Sequence, residues 1–117
     1  MQKRLSCLLK EKLKNREKII DELKNISRRL KKEDKNVLSV YLFGSYSRGD
    51  FSFWSDADLI VVLKESNEGM LDRIERFLLK FVNAPVPVDV LVYTRREIKE
   101  NRDNFFIKDG LKGIKLA

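Results

Sequence analysis

The sequence contains no histidine and a single cysteine, Cys7, among its 117 residues. Without histidine there is no imidazole for a Ser-His triad, for a histidine-held metal or for proton transfer near neutral pH. A lone cysteine excludes an internal disulfide and predicts a reducing cytoplasm. Any catalysis must therefore use carboxylates, hydroxyls, lysine, arginine or metal ions held by oxygen.

Long apolar runs are also missing, and the chain has only 2 prolines and 5 glycines. No stretch approaches the roughly 20 apolar residues of a membrane helix, and the N-terminus is too charged for a signal peptide. Hydrophobic residues make up 43% and charged residues 37% of the chain. This balance predicts a compact, helix-rich soluble protein, and the length predicts one domain over residues 1–117.

The net charge of +7 is concentrated in residues 1–35, which hold 13 Lys/Arg against 6 Asp/Glu. Within this segment, apolar residues recur at spacings of three and four, which predicts an amphipathic helix with a break near Asn15. Its Lys/Arg face is either an electrostatic surface for nucleic acid or an acidic partner, or an ordinary solvated face. The predicted apolar stripe comprises Leu5, Leu9, Leu13, Ile19, Ile20, Leu23, Ile26 and Leu30.

The remaining residues, 36–117, alternate between strand-like and helix-like segments. Residues 37–43, 56–64 and 88–94 predict three strands. The first is short and rich in β-branched and aromatic residues, and the second is apolar on both faces after Asp58, which predicts a central place in the sheet. A helix is expected over 67–83, where Leu71, Ile74, Leu78 and Phe81 recur at helical spacing. One or two short helices should close the chain, with Gly110 and Gly113 as stops.

The connection between the first two strands is about a dozen residues, which is too short for a full crossover helix. We therefore predict an α/β (α+β) fold with a small mixed sheet of three or more strands. Helices flank this sheet, and the long N-terminal amphipathic helix precedes it.

Three aspartates stand in or beside the predicted strands. Asp56 and Asp58 are two residues apart, so on a strand they share one face. Two close carboxylates repel each other without a cation, but they suit Mg²⁺, which prefers oxygen ligands. Asp89 interrupts the apolar strand 88–94 and completes a set of three if the two strands are neighbours. Alone, Asp89 reads equally as a strand-edge residue with its carboxylate in water.

A Gly-Ser turn follows the first predicted strand. Gly44 lets the backbone approach a ligand closely, and Ser45 offers a hydroxyl and a backbone N–H to phosphate oxygens. Taken alone, Gly-Ser is a common turn. It is not a Walker A loop, because no Gly-Lys-Ser/Thr follows.

The stretch "GSYSRGDFSFWSDADLIVV" combines these features over residues 44–62. It resembles the nucleotidyltransferase superfamily that includes DNA polymerase beta, and most of all its minimal nucleotidyltransferase (MNT) domains. The aromatic loop residues Phe51, Phe53 and Trp54 depart from the family pattern. They either stack on a base or anchor a partner, or they fold over the sheet as core.

The resemblance implies a role for each matching residue. Asp56, Asp58 and Asp89 would be catalytic residues and would hold Mg²⁺, in the usual case two ions. Asp89 would also orient or deprotonate the attacking hydroxyl. Gly44, Ser45 and Arg48 would bind the phosphates of ATP, although Arg48 reads equally as a structural support for the turn.

In its small size, the chain resembles the antitoxin of HEPN/MNT toxin–antitoxin pairs. This resemblance implies transfer of AMP from ATP to a tyrosine of the partner, a HEPN ribonuclease toxin. Three alternatives stay open: a non-catalytic antitoxin that acts by occlusion, nucleotidyl transfer to a small molecule, and a nucleic-acid-binding module built on the basic helix. The last leaves the aspartates unexplained. No membrane partner is expected, and self-association stays open.

Overall fold

The computed structural model describes residues 2–44, 47 and 56–117, with side chains from residue 15 onward except that of Phe106. The described chain alternates helices and strands around one sheet. In chain order the elements are α1 (Gln2–Glu33), β1 (Val37–Phe43), β2 (Ala57–Leu63), α2 (Met70–Lys80), β3 (Val88–Thr94), α3 (Arg95–Glu100), α4 (Phe105–Leu111) and β4 (Ile114–Lys115).

The described strands form a mixed sheet in the order β3-β2-β1-β4. β2 pairs antiparallel with β1 and parallel with β3, while β4 adds an antiparallel strand beyond β1. The prediction of a small mixed sheet flanked by helices is therefore confirmed, and so is the central place of the second strand. The antiparallel β1–β2 pair needs no crossover helix, whereas the parallel β2–β3 pair uses α2 as its crossover.

The main core lies on one face of this sheet. Because side chains alternate along a strand, Ala57, Leu59, Val61 and Leu63 of β2 all point to that face and are fully buried. The helices α1 and α2 cover them. The same cluster contains Ile20, Leu23, Leu30, Phe77 and Phe81.

The first helix runs without interruption from Gln2 to Glu33, so the predicted break near Asn15 is wrong. Asn lowers helix propensity only slightly, and neither Gly nor Pro interrupts residues 3–33. The apolar stripe is confirmed for its described side chains: Ile20, Leu23 and Leu30 are buried, and the two other isoleucines pack against them. The side chains of Leu5, Leu9 and Leu13 lie outside the described part.

The stripe buried by the second helix and its C-cap shares only Phe81 with the predicted one. Arg73, Phe77 and Phe81 are at most 6% exposed, whereas Leu71 is 82% exposed and Leu78 38%. This segment contains two sets of residues at helical spacing, and spacing alone does not determine which set faces the core. Arg73 lies on the buried side, where three hydrogen bonds satisfy its guanidinium.

Arg73 joins three elements. Its guanidinium donates to the carbonyl oxygen of Glu68 (2.9 Å), to that of Val92 in β3 (3.3 Å) and to the Glu97 carboxylate of α3 (2.5 Å). Glu97 also closes a capping box, in which its carboxylate accepts from the Thr94 N–H and the Thr94 hydroxyl accepts from the Glu97 N–H. This cluster fixes the carboxyl end of β3.

Two glycines allow the C-terminal segment to lie close to the sheet. Gly110 lies within α4, so its prediction as a helix stop is wrong. A Cβ there would collide with the end of the Ile60 side chain. Gly113 follows the helix, and a Cβ at that position would collide with the carbonyl oxygen of Leu42. The short strand β4, which follows directly, was not predicted from the sequence.

None of the helices in the described ranges combines the length and the apolar character that crossing a bilayer requires.

Candidate active site

Asp58 and Asp89 lie side by side on neighbouring strands. The parallel register of β2 and β3 pairs Asp58 directly with Asp89, so both side chains leave the same face of the sheet. Neighbouring strands are about 4.8 Å apart. Asp58 is half-buried and Asp89 is exposed. Two carboxylates separated by 31 positions in sequence are thus brought together by the α2 crossover.

Asp56 directly precedes β2 and is exposed. The start of the strand is held by the Ala57 N–H, which donates to the carbonyl oxygen of Pro87 at 2.9 Å. Among the described residues, no group of three or more Asp, Glu, Cys or His side chains is arranged to hold a metal ion. The structure therefore brings Asp58 and Asp89 together but does not gather all three aspartates into a preformed metal cluster.

At the end of β1, Gly44 lies directly beside the Asp58 carboxylate. Phe43 is the antiparallel partner of Asp58, so the residue after it lies beside the aspartate side chain. Gly44 has a left-handed φ of 70°, and a Cβ built on it would lie 2.5 Å from Asp58 Oδ2. Both the backbone conformation and the available space therefore require glycine at this position.

Two hydrogen bonds connect Gly44 through Ser47 to Arg16 of the first helix. The Ser47 hydroxyl donates to the carbonyl oxygen of Gly44 at 3.0 Å. Arg16 of α1 donates from its guanidinium to the carbonyl oxygen of Ser47 at 3.2 Å, across 31 positions of sequence. Sequence reasoning missed Arg16, because nothing distinguishes it locally from the other basic residues of the helix.

The other predicted site residues, Ser45 and Arg48, lie outside the described residues, as do Phe51, Phe53 and Trp54 of the aromatic loop.

A cleft of about 420 Å³ opens beside the two paired aspartates. Asp58 and Asp89 supply its charged side, and its apolar wall consists of Phe43, Ile74, Leu78, Val90 and Leu91. The α2 members of this wall belong to the helical series that the sequence placed on one face. Their face is directed to the cleft and not into the core. The site thus combines two neighbouring carboxylates with a half-open apolar surface.

Carboxylate oxygens are the ligands that Mg²⁺ prefers, and one or two of them usually suffice when substrate phosphates and waters complete the shell. The paired aspartates beside a glycine turn have the donor chemistry for such an ion. Comparison with known proteins identifies the family of the chain. The family model described as "Nucleotidyltransferase domain" matches residues 20–114 of the chain, which run from the middle of α1 to the first residue of β4.

Two relatives come from Methanocaldococcus jannaschii, and each bears the name "Putative protein adenylyltransferase". One is 34% identical over 80 residues, which cover 66% of this chain and 78% of the relative. The other is 35% identical over 78 residues, which cover 63% of this chain and 91% of the relative.

A solved structure has the same fold. It belongs to a protein from Sulfolobus solfataricus described as a "putative nucleotidyltransferase", with a TM-score of 0.65 and 24% sequence identity over 88% of this chain and 91% of the other. The family match covers most of the chain, and it agrees with the Gly-Ser and Asp-x-Asp motifs. The chain therefore belongs to the nucleotidyltransferase domain family of the DNA polymerase beta-like superfamily, and it is a nucleotidyltransferase of the minimal type.

Proposed function

We propose that this chain is a Mg²⁺-dependent protein adenylyltransferase that moves AMP from ATP to a tyrosine hydroxyl of a partner protein. The observation that carries the proposal is the pairing of Asp58 with Asp89 beside an apolar cleft. The biological form we propose is the antitoxin of a HEPN/MNT pair, in which the acceptor is the HEPN ribonuclease toxin. The names of the two archaeal relatives support protein adenylylation as the chemistry.

Asp58 and Asp89 are the residues we assign to Mg²⁺, with Asp56 joining them when nucleotide is bound. The ions would neutralise the charge that develops on the phosphate oxygens during transfer. Without a cation, the carboxylates on adjacent strands repel each other, and binding of the ion would remove this repulsion.

Gly44 and its turn are the part we assign to the phosphates of ATP. A backbone free of a Cβ can approach phosphate oxygens closely, and N–H groups in such turns form concave anion sites. Ser45 and Arg48 are assigned to the same phosphates on the strength of the family pattern.

The apolar wall of the cleft favours an aromatic acceptor. A phenol ring packs well against Phe43, Ile74 and Leu78 while its hydroxyl stays polar, which is the usual division in buried tyrosines. The cleft is half open, as expected if the acceptor residue enters on the surface of another protein. Asp89, the more exposed aspartate, lies on the edge strand and is the group we assign to the acceptor hydroxyl.

The transfer itself balances with these groups. The acceptor oxygen forms a bond to the α-phosphorus of ATP, and the bridging bond between the α- and β-phosphates breaks. Pyrophosphate leaves, and the hydroxyl proton passes to the Asp89 carboxylate, which acts as general base. In-line displacement requires chiefly positioning and charge stabilisation from the protein.

The test is to incubate the protein with Mg²⁺-ATP and the product of the neighbouring gene, which we propose to be a HEPN protein, and to measure the intact mass of both. One added AMP on a tyrosine of the partner is expected, and none with Asp58→Asn. If the partner is neutralised with unchanged mass, and the Asp58→Asn variant neutralises equally well, the protein is an occluding antitoxin and the enzymatic proposal fails.

A small-molecule acceptor is the second candidate. It is favoured by the volume of the cleft, about 420 Å³, which lies within the range of about 300–1,000 Å³ that small-ligand sites occupy. Release of pyrophosphate with a small hydroxylated acceptor, in the absence of any protein acceptor, would favour this candidate.

A further inference from the structure

We infer that Arg16 of α1 is a positioning residue for the nucleotide site, so that the N-terminal helix forms part of that site. The inference rests on the proposed function for its consequence, and on the hydrogen bonds around Ser47 for its geometry. Three successive contacts lead from the helix to the catalytic carboxylate: Arg16 to Ser47, Ser47 to Gly44, and Gly44 to Asp58.

The first contact is a charge-assisted hydrogen bond. The Arg16 guanidinium donates to the Ser47 carbonyl oxygen at 3.2 Å in a half-buried setting. Hydrogen bonds with one charged partner are stronger than neutral ones, and partial exclusion of water preserves that strength. Arg16 itself is half-buried, whereas most basic residues on the described part of α1 are exposed.

The second contact joins Ser47 to Gly44. The Ser47 hydroxyl donates to the Gly44 carbonyl oxygen at 3.0 Å. Gly44 has the left-handed φ of 70°, a conformation that glycine adopts readily but that costs backbone entropy to fix. The hydrogen bond from Ser47 offsets part of that entropy cost at Gly44.

The third contact links the Gly44 backbone to Asp58, which we assign to the metal ion. Gly44 lies so close to Asp58 that a Cβ would be 2.5 Å from the carboxylate oxygen. A shift of the turn therefore changes the space around Asp58 and the position of backbone groups directed at the phosphates. Because α1 also buries Ile20, Leu23 and Leu30 in the core, it is a rigid support for this chain of contacts.

The first test measures amide hydrogen exchange in nucleotide-free protein, with peptides that cover residues 43–47. Arg16→Ala should accelerate exchange in this segment by about tenfold, since a charge-assisted hydrogen bond of this kind corresponds to that factor. Arg16→Lys, which keeps the charge and one donor, should recover much of the protection. Unchanged exchange in Arg16→Ala would overturn the inference.

The second test measures Mg²⁺-ATP binding by calorimetry and separates KM from kcat. Arg16→Ala should raise the Kd and KM for ATP about tenfold with a smaller change in kcat. The matched control is Lys18→Ala, which removes the same charge from an exposed position of the same helix. If Lys18→Ala weakens ATP binding equally, the effect is general electrostatics and the positioning role of Arg16 is wrong.

These two readouts also separate this inference from the proposed function. If wild-type protein does not bind Mg²⁺-ATP at all, the proposed function fails, and the exchange measurement alone decides whether Arg16 holds the turn. If ATP binds and is transferred but Arg16→Ala behaves as wild type in both tests, only the inference fails. Ser47→Ala should reproduce part of the Arg16→Ala effect, and the double variant should lose less than the combined single effects.

Discussion

Asp58 and Asp89 are register partners on adjacent parallel strands, with both carboxylates on one face of the sheet. Like charges that lie directly beside each other on adjacent strands repel. A divalent cation bound by both carboxylates would remove this repulsion.

Asp89→Asn should separate stability from function. Without divalent cations we expect the variant to be as stable as wild type or more stable, by up to about 1 kcal/mol, because the repulsion is removed. Nucleotidyl transfer should fall by about a hundredfold or more, since a general base contributes about 10²–10⁴. Thermal unfolding with and without Mg²⁺-ATP, together with a transfer assay, measures both effects.

Asp103→Asn is the matched control, because Asp103 is exposed in the turn before α4. It should retain transfer activity and the stabilisation by Mg²⁺-ATP. A large loss of stability in Asp89→Asn without metal would contradict the assignment of Asp89 to the metal side.

Gly44→Ala should impair both the fold near β1 and nucleotide binding. An alanine at φ 70° is strained, and its Cβ would overlap the space of Asp58 Oδ2, so we expect a loss of about 1–3 kcal/mol in the free energy of unfolding. Gly69→Ala is the control, because its φ is −69° and no atom lies within 4 Å of the added Cβ. Chemical denaturation of both variants measures the difference, and equal losses would contradict the steric argument.

Glu97 should make stability depend on acidic pH. Burial works to raise the pKa of Glu97, but hydrogen bonds from the Thr94 N–H and from Arg73 outweigh it and leave the pKa below its ordinary value. A carboxyl whose pKa is depressed by folding contributes stability above its unfolded pKa. That contribution is lost as the pH falls through the folded pKa.

Glu97→Gln should therefore flatten the acid limb of the stability curve and lower stability near neutral pH by about 1–2 kcal/mol. This is less than the about 3–5 kcal/mol of a fully buried pair, because the Glu97 side chain is 35% exposed. Glu100→Gln breaks an exposed pair with Arg96 and should change stability by less than about 0.5 kcal/mol. Denaturation midpoints from pH 3 to pH 7 (roughly one unit apart) provide the comparison.

Gly113→Ala should destabilise the protein more than Gly110→Ala. The added Cβ at Gly113 meets the backbone carbonyl of Leu42 in β1, whereas that at Gly110 meets the flexible end of Ile60. A side-chain tip can rotate away at a cost of about 1–3 kcal/mol, but a paired strand backbone cannot move without breaking its ladder. Urea denaturation would measure the order of the two losses, and the reverse order would contradict this reading.

The sequence predicted strands correctly where the local residue pattern agrees with burial in the fold. The segments 37–43 and 88–94 match the strands because β-branched and aromatic residues fill them, and glycine or proline bounds them. The short strand β4 was missed because two residues, Ile114 and Lys115, carry no pattern. In α2, no local pattern indicates that Arg73 is buried, because its partner Glu97 lies 24 positions away.

The candidate site was accessible from sequence only in part. Asp58 and Asp89 stand out because charge interrupts apolar strands. Arg16 reaches the turn through tertiary packing, and a single basic residue within a basic helix gives no local signal. Ile74 and Leu78 were predicted to share a helix face, but not to line a cleft, because periodicity does not show what a face packs against.

Among the described strands, β3 forms an edge of the sheet, and additional side-chain contacts hold only its carboxyl end. Its carboxyl end is fastened by Arg73 and the capping box, while Asp89 lies one residue after its start. Local opening of a protein usually begins at sheet edges and spreads from the less restrained end. Amide protection should therefore rise from Asp89 toward Thr94, and transient fraying of the edge would withdraw one carboxylate from the site while the core stays folded.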